Sequence, residues 1–370
     1  MYILIAMVNP FQITKPVAAT EVIDRDSEGG ELAALAHEGN NARLVAPRRY
    51  GKTSLLNRVQ EELGRDGWIT VYVDLLGVVT IEEVAARIEL AYTSALKNPL
   101  ARWFAGWQRT LRPSLTIGGG PIPAALSLDP ATQRAALVSR LALPFHVHKR
   151  SGQRVHVVFD EFQELDAIPG EADAVVRSEI QHHGDAASYV FAGSRLRMME
   201  MIFADRKRAF YAQTKRVELS PLASDALGEY ISLKFEQTGK ELTPAALGAL
   251  LDLVEGHPQR AMAAAHALWD TTTDTADIDQ WDTARAALME EVEDELRSTW
   301  VGLSPTMRST LVSVATAGQP YRRGHGDRGA SVARSLKGLE GDGIVVRSEG
   351  RWRVIDPLLG EWIRAGRLNS

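Results

Sequence analysis

Cysteine is absent from the 370 residues. Disulfides, thiol nucleophiles and cysteine-ligated zinc are thereby excluded, and the composition suits a reducing, cytoplasmic setting. Long apolar runs are lacking as well. The opening residues 1–7 are apolar but too short to cross a bilayer, and they lack the basic flank of a secretory leader. No membrane partner is expected, and Met7 is the more natural start. Strong charge of either sign is missing: 42 Lys and Arg against 47 Asp and Glu leave a net −5, so the whole molecule is no electrostatic attractant for nucleic acid. His146, His148, His182 and His183 have no cysteine or acidic residue at ligand spacing, which argues against a histidine metal site. What remains, 45% apolar and 24% charged residues, is the makeup of a globular chain of two or three domains.

Residues 43–56 carry the strongest chemical signal. A short apolar strand (43–45) runs into a tight loop, and a helix opens at Gly51, Lys52 and Thr53. This is the layout of G-x-x-x-x-G-K-[ST], with Ala46 in place of the first glycine. The residue types follow from the task of holding a triphosphate. The backbone N–H groups of Ala46, Pro47's neighbours Arg48, Arg49 and Tyr50, and the helix start at Gly51 to Ser54 can cradle phosphate oxygens. Gly51 lets the backbone approach closely, Lys52 supplies a point charge, and Thr53 offers a hydroxyl to Mg²⁺.

A metal carboxylate is expected on a neighbouring strand, and residues 154–162 supply it. The run 155–159 is β-branched and aromatic, as in a strand buried on both faces. Asp160 and Glu161 follow at its carboxyl end, where open α/β sheets bind ligands. Asp160 is expected to hold Mg²⁺ through water, and Glu161 to polarise the attacking water. A further apolar strand, 188–194, ends at Ser194, a candidate γ-phosphate sensor.

Around these motifs the chain reads as alternating strands and helices. Residues 9–38 lead into the loop, with Val22, Ile23 and Arg25 candidates for a base pocket. A second strand covers 68–75, whose Asp74 has a site role or a turn role. A helix follows at 81–97. Residues 98–130 are expected to form a hairpin insertion carrying Trp103, Phe104 and Trp107, as core or as a partner surface. The basic run 205–208 is a solvated face or offers an arginine to a neighbouring subunit. After residue 219 the strands stop and helices are predicted at 223–237, 243–255 and 258–270, the last opened by Gly256, His257 and Pro258. Arg260 on its first turn is either a surface charge or a group that swings over the γ-phosphate. A polar linker (271–279) and a long helix (281–300) come next. Helices at 304–317 and 331–340 and a two-stranded hairpin close the chain as a winged helix. From Gln319 onward ten Lys and Arg face six Asp and Glu, and Arg334 and Lys337 fall on the outer side of the second helix, which suits either phosphate contacts with DNA or a protein-facing module.

Asp24 to Asp26, the loop 46–53, residues 71–74 (VYVD), 158–161 (VFDE), 191–194 (FAGS), 256–258 (GHP) and 352–357 (WRVIDP) together resemble the archaeal-type ATPases of the STAND branch of AAA+ proteins. The origin-recognition ATPases are similar more distantly. The resemblance runs from about Asn9 to the end. It implies an α/β fold, a P-loop NTPase parallel sheet of AAA+ type, with a helical lid and a C-terminal winged helix. The expected units are 1–219, 220–295 and 296–370. It also implies ATP and Mg²⁺ as ligands and a nucleotide-dependent switch. Two departures stand out: Ala46, and Ala212-Gln213 where relatives often carry Gly-Arg, which removes one arginine-finger candidate. The expectation is an ATP-binding switch with slow Mg²⁺-dependent hydrolysis. The alternative is a DNA-binding regulator in which nucleotide is mainly structural. DNA, a protein partner or a second copy of the chain are the macromolecular partners in view.

Overall fold

A computed structural model describes residues 8–111, 130–169, 172–318, 327–348 and 350–366. Five parallel strands form the central sheet: β1 (Ala42–Val45), β2 (Ile69–Asp74), β3 (Val155–Asp160), β4 (Ala187–Gly193) and β5 (Lys215–Glu218), in the order β2-β3-β4-β1-β5. The strand of the phosphate loop and the strand of the acid pair are therefore not neighbours. β4 lies between them, against expectation, and it brings Ser194 into the gap. β5 was not anticipated, because Val217 is its one buried residue and its other residues are polar.

Alternation along the strands sorts the side chains into two layers. Val155, Val157 and Phe159 join Tyr189 and Phe191 on one face, covered by α3 (Ile81–Ala95), α5 (Pro130–Leu141) and α7 (Ala172–Ile180). Val158, Val190 and Leu44 face α1 (Asp26–His37) and α2 (Lys52–Arg65) on the other. The remaining helices of this part are α4 (Leu100–Leu111), α6 (Leu143–Ser151) and α8 (Leu196–Ala204). Helix α4 places Phe104 in the core with Trp103 and Trp107 packed against it; the expected hairpin of 98–130 otherwise lies outside the described residues.

The second half is helical: α9 (Ser224–Gln237), α10 (Pro244–Val254), α11 (Pro258–Thr271), α12 (Ile278–Glu291), α13 (Glu293–Val301), α14 (Pro305–Ala317), α15 (Asp327–Gly341) and α16 (Pro357–Arg364). A two-residue parallel pair, β6 (Glu241–Leu242) and β7 (Thr275–Ala276), pins the segment read as a polar linker. The long helix expected at 281–300 is broken at Val292. The antiparallel strands β8 (Val345–Ser348) and β9 (Arg351–Val354) follow α14 and α15 in the order of a winged helix. Helix α16, capped by Asp356, was not anticipated.

One apolar cluster runs through all of these helices. Leu227, Ile231 and Phe235 of α9, Leu250 of α10, Leu268 of α11, Leu288 of α12, Leu311 of α14 and Trp362 of α16 belong to it, and so does Phe11 of the amino-terminal segment. The helices after β5 and the terminal unit thus share a core. Ile355 is the exception, buried with Tyr50 and Leu219 against the sheet. Among the described residues no helix is long and apolar enough to cross a membrane.

Candidate active site

The loop after β1 is held open by its backbone. Gly51 caps α2 with φ +79°, and Arg49 takes φ +67°, left-handed conformations that a non-glycine residue adopts only at a cost. The N–H groups of Arg49 to Ser54 donate to no protein acceptor among the described residues. A run of unpaired donors at a helix start is an anion cradle. It opens into a cavity of about 470 Å³ lined by Pro47, Arg48, Arg49, Tyr50, Gly51, Lys52, Thr53 and Ser54, and by Glu161 and Ser194 opposite. Ile23 and Arg25 line its other end, with Val17, Tyr230 and Met262 adding apolar surface. Ala46 is fully buried behind the loop, its N–H given to Gly193.

The acid pair meets the lysine. Lys52 Nζ lies 2.5 Å from Asp160 Oδ1 and 3.0 Å from Glu161 Oε1. Strands in a sheet stand about 4.8 Å apart, so β1 and β3 are about 10 Å apart across β4. The lysine stem at the head of α2 spans that gap. Glu161 is the most constrained group of the site. Its φ is +52°, and the chain after it is anchored by Phe162, which is fully buried among Phe191, Phe203 and Phe210. Glu161 Oε2 accepts from Ser194 Oγ at 2.8 Å and from Gln163 Nε2 at 2.5 Å. Burial works to raise its pKa, but the Lys52 ammonium and the bonds from Gln163 and Ser194 outweigh it and hold the carboxyl below its ordinary value. Glu161 is ionised at neutral pH.

Two groups here were not read from the sequence. Gln163 sits two residues after Glu161, and Tyr72 two residues before the end of β2. Tyr72 is on the same face of the sheet as Val158 and Asp160, and its phenol donates to Asp160 Oδ2 at 2.5 Å. Strand alternation was the available signal for Tyr72; the Glu-x-Gln spacing was the one for Gln163. Asp74 accepts from Leu76 N at 2.9 Å, which is a turn role.

Thr53 in the cavity wall and Asp160 beside Lys52 are the oxygen donors that could hold a cation. Among the described residues no three His, Asp or Glu side chains converge on a metal position. That small donor set fits Mg²⁺, which takes few protein ligands and completes its shell with phosphate and water.

Arg260 is not where the sequence suggested. It does not line the cavity. Its guanidinium is 1% exposed and is bonded to Asp356 at 2.5 Å and to Glu295 at 3.0 Å. The bidentate carboxylate at the start of α16 outcompetes the loop for it. Arg49 makes the link instead: it leaves the phosphate loop and meets the same Glu295 oxygen at 2.6 Å. Next to Arg260, His257 caps α11, packs edge-on against Tyr50 at 4.9 Å, and is kept neutral by burial, its pKa pushed down to about 4. Of the basic run, Arg208 is held by Asp166 at 2.6 Å and Asp173 at 2.9 Å.

No family model matches the chain, and no curated protein does. Solved structures do. The Walker-type ATPase of Pyrococcus abyssi superposes with a TM-score of 0.69 at 15% identity, over 96% of this chain and 99% of that one. The ORC2 protein of Aeropyrum pernix, in ADPNP–ADP complexes, gives 0.59 at 15% identity over 96% and 98%. Its ADP form gives 0.57 at 16% over 97% and 98%. At such identities the likeness carries architecture alone, and with the strand order and loop geometry above it shows that the chain has an α/β fold of the AAA+ P-loop type, with a helical lid and a C-terminal winged helix.

Proposed function

We propose that the protein is an ATP-binding switch of the STAND type that hydrolyses its nucleotide slowly with Mg²⁺ and passes the nucleotide state to its winged helix. The observation that carries the reading is the Lys52 ammonium lying between Asp160 and Glu161 beneath a cradle of unpaired N–H groups. A triphosphate in that cradle recruits Lys52 to its own oxygens. Thr53 and Asp160 would hold Mg²⁺, which when bound neutralises charge on the phosphates. Glu161 Oε1, released from the lysine, then orients a water and takes its proton as the water oxygen bonds to the γ-phosphorus, and the bond to the ADP oxygen breaks with its electron pair leaving on ADP. Ser194 holds the other carboxylate oxygen in place and faces the leaving phosphate. Slow turnover follows from the resting site. Glu161 has three partners to lose or share, Arg208 is engaged within its own chain, and Ala212-Gln213 offers no arginine.

The switch rests on Arg49. It is at once a loop residue beside the phosphates and the partner of Glu295, which also holds Arg260 and, through it, Asp356. Phosphate binding competes for Arg49 and loosens the helices of the second half from the loop. Lys52→Ala and Glu161→Gln test the site. The first is expected to lose ATP binding, the second to keep it and lose turnover. Tight ATP binding that survives Lys52→Ala would reject the assignment.

A second reading has its own support. Arg334, Lys337, Arg347 and Arg351 are exposed on α15 and the hairpin, while Leu336 and Leu339 are buried. That is the charge layout of a DNA-facing winged helix. Duplex binding by the intact protein that weakens with salt and with Arg334→Glu/Lys337→Glu would favour a DNA-binding regulator with structural nucleotide.

A further inference from the structure

Tyr72 is the one polar side chain of β2 bonded to the acid pair, and the bond is specific. Asp160 spends Oδ1 on Lys52 and on the N–H of Glu161. Its other oxygen, Oδ2, is taken by the Tyr72 phenol. The ring therefore holds the carboxylate oxygen that Lys52 leaves free. Parallel pairing of β2 with β3 sets this up: Tyr72 lies opposite Val158, and a ring can reach one pleat further to Asp160.

The direction of the bonds matters. The Tyr72 hydroxyl gives its proton to Asp160 Oδ2, while Lys52 and the N–H of Glu161 hold Oδ1, so the carboxylate is fixed from both sides in its ionised form. Partners behind the ligands orient them and sharpen metal affinity.

We propose that Tyr72 is a positioning residue for the divalent cation, aligning Asp160 before the ion arrives. The inference rests on the ATP–Mg²⁺ reading of this site, and its test separates the two. Tyr72→Phe removes one oxygen and leaves the ring packing intact. Binding of a fluorescent ATP analogue to the full chain is titrated first in EDTA and then with rising Mg²⁺, and Mn²⁺ binding is followed in parallel by its spin-resonance signal. The variant is expected to bind the analogue in EDTA as the parent does, and to need about tenfold more Mg²⁺ or Mn²⁺ for half-saturation. In the double variant with Asp160→Asn the loss should be no larger than for Asp160→Asn alone. Unchanged Mg²⁺ and Mn²⁺ midpoints in Tyr72→Phe, or additive losses in the double variant, would overturn the role of Tyr72. Analogue binding that persists in Lys52→Ala would instead overturn the site itself.

Discussion

Arg260 and Asp356 are 96 residues apart in sequence and joined by a two-pronged ion pair, with Nε at 3.0 Å from one carboxylate oxygen and a terminal nitrogen at 2.5 Å from the other. The arginine is almost fully buried and the aspartate three-quarters so. Removing one member strands the other. Asp356→Asn, which strands the more deeply buried guanidinium, is expected to destabilise the folded chain by about 3 kcal/mol, and Arg260→Met by less, since the carboxylate it strands retains some solvent. Urea melts of the two variants check the size and the order.

Arg49 joins the loop to Glu295 over an exposed pair, so its worth to stability is small, below about 1 kcal/mol. Its worth to coupling is the larger effect. Arg49→Ala is expected to leave the melting curve nearly unchanged while making protease cleavage between the sheet and the later helices insensitive to ATP. Digestion with and without nucleotide reads this directly.

Glu161→Gln keeps the size and the bonds to Ser194 and Gln163 but loses the charge. Single-turnover hydrolysis is expected to slow by about a hundredfold or more. Gly193→Ala acts on the same group from behind. A β-carbon there would run into the Gln163 amide oxygen and the Met199 thioether, displacing Gln163 from Glu161. Turnover should fall, with a stability loss of about 1–3 kcal/mol from overpacking; a melt and a phosphate-release assay on one sample separate the two effects.

His156 gives the molecule an acid limit. It is fully buried in β3 and neither ring nitrogen has a partner, and burial lowers its pKa from 6.5 to about 4. The unfolded chain therefore binds a proton that the folded chain refuses between those values. Stability is complete above pH 6.5 and falls as pH drops toward 4, by up to about 3 kcal/mol for this one residue. His183 adds to the same slope, its pKa also lowered to about 4 by burial. His156→Leu is expected to flatten the slope and to gain stability at pH 5 relative to pH 8. Thermal melts across that range measure it.

The chemistry of the site was legible because it is local. Lys52 and Thr53 are adjacent at the head of α2, and Asp160 and Glu161 are adjacent at the end of an apolar strand. What escaped was long-range or disguised. Nothing near Arg260 announces Asp356. β5 has charged residues around Val217, so no hydrophobic period marks it. The position of β4 between β1 and β3 is a matter of sheet order, which local patterns do not encode. Tyr72 looked like any strand aromatic because its partner, Asp160, comes from another strand. The polar stretch before α12 was mistaken for a tether because two-residue strands are too short to leave a periodic trace.

The shared apolar cluster of the later helices has a mechanical consequence. Pulling α9–α11 away from α14–α16 would wet Leu250, Leu311, Trp362 and their neighbours, whereas tilting the two together against the sheet strains the Arg49–Glu295 tie, the Tyr50–His257 and Ile355 contacts and the seam where Gly341 meets Arg197. The compliant joint of the molecule is therefore at the rim of the nucleotide cleft, and a displacement begun there carries the hairpin and the Phe11 strap along as a single lever arm.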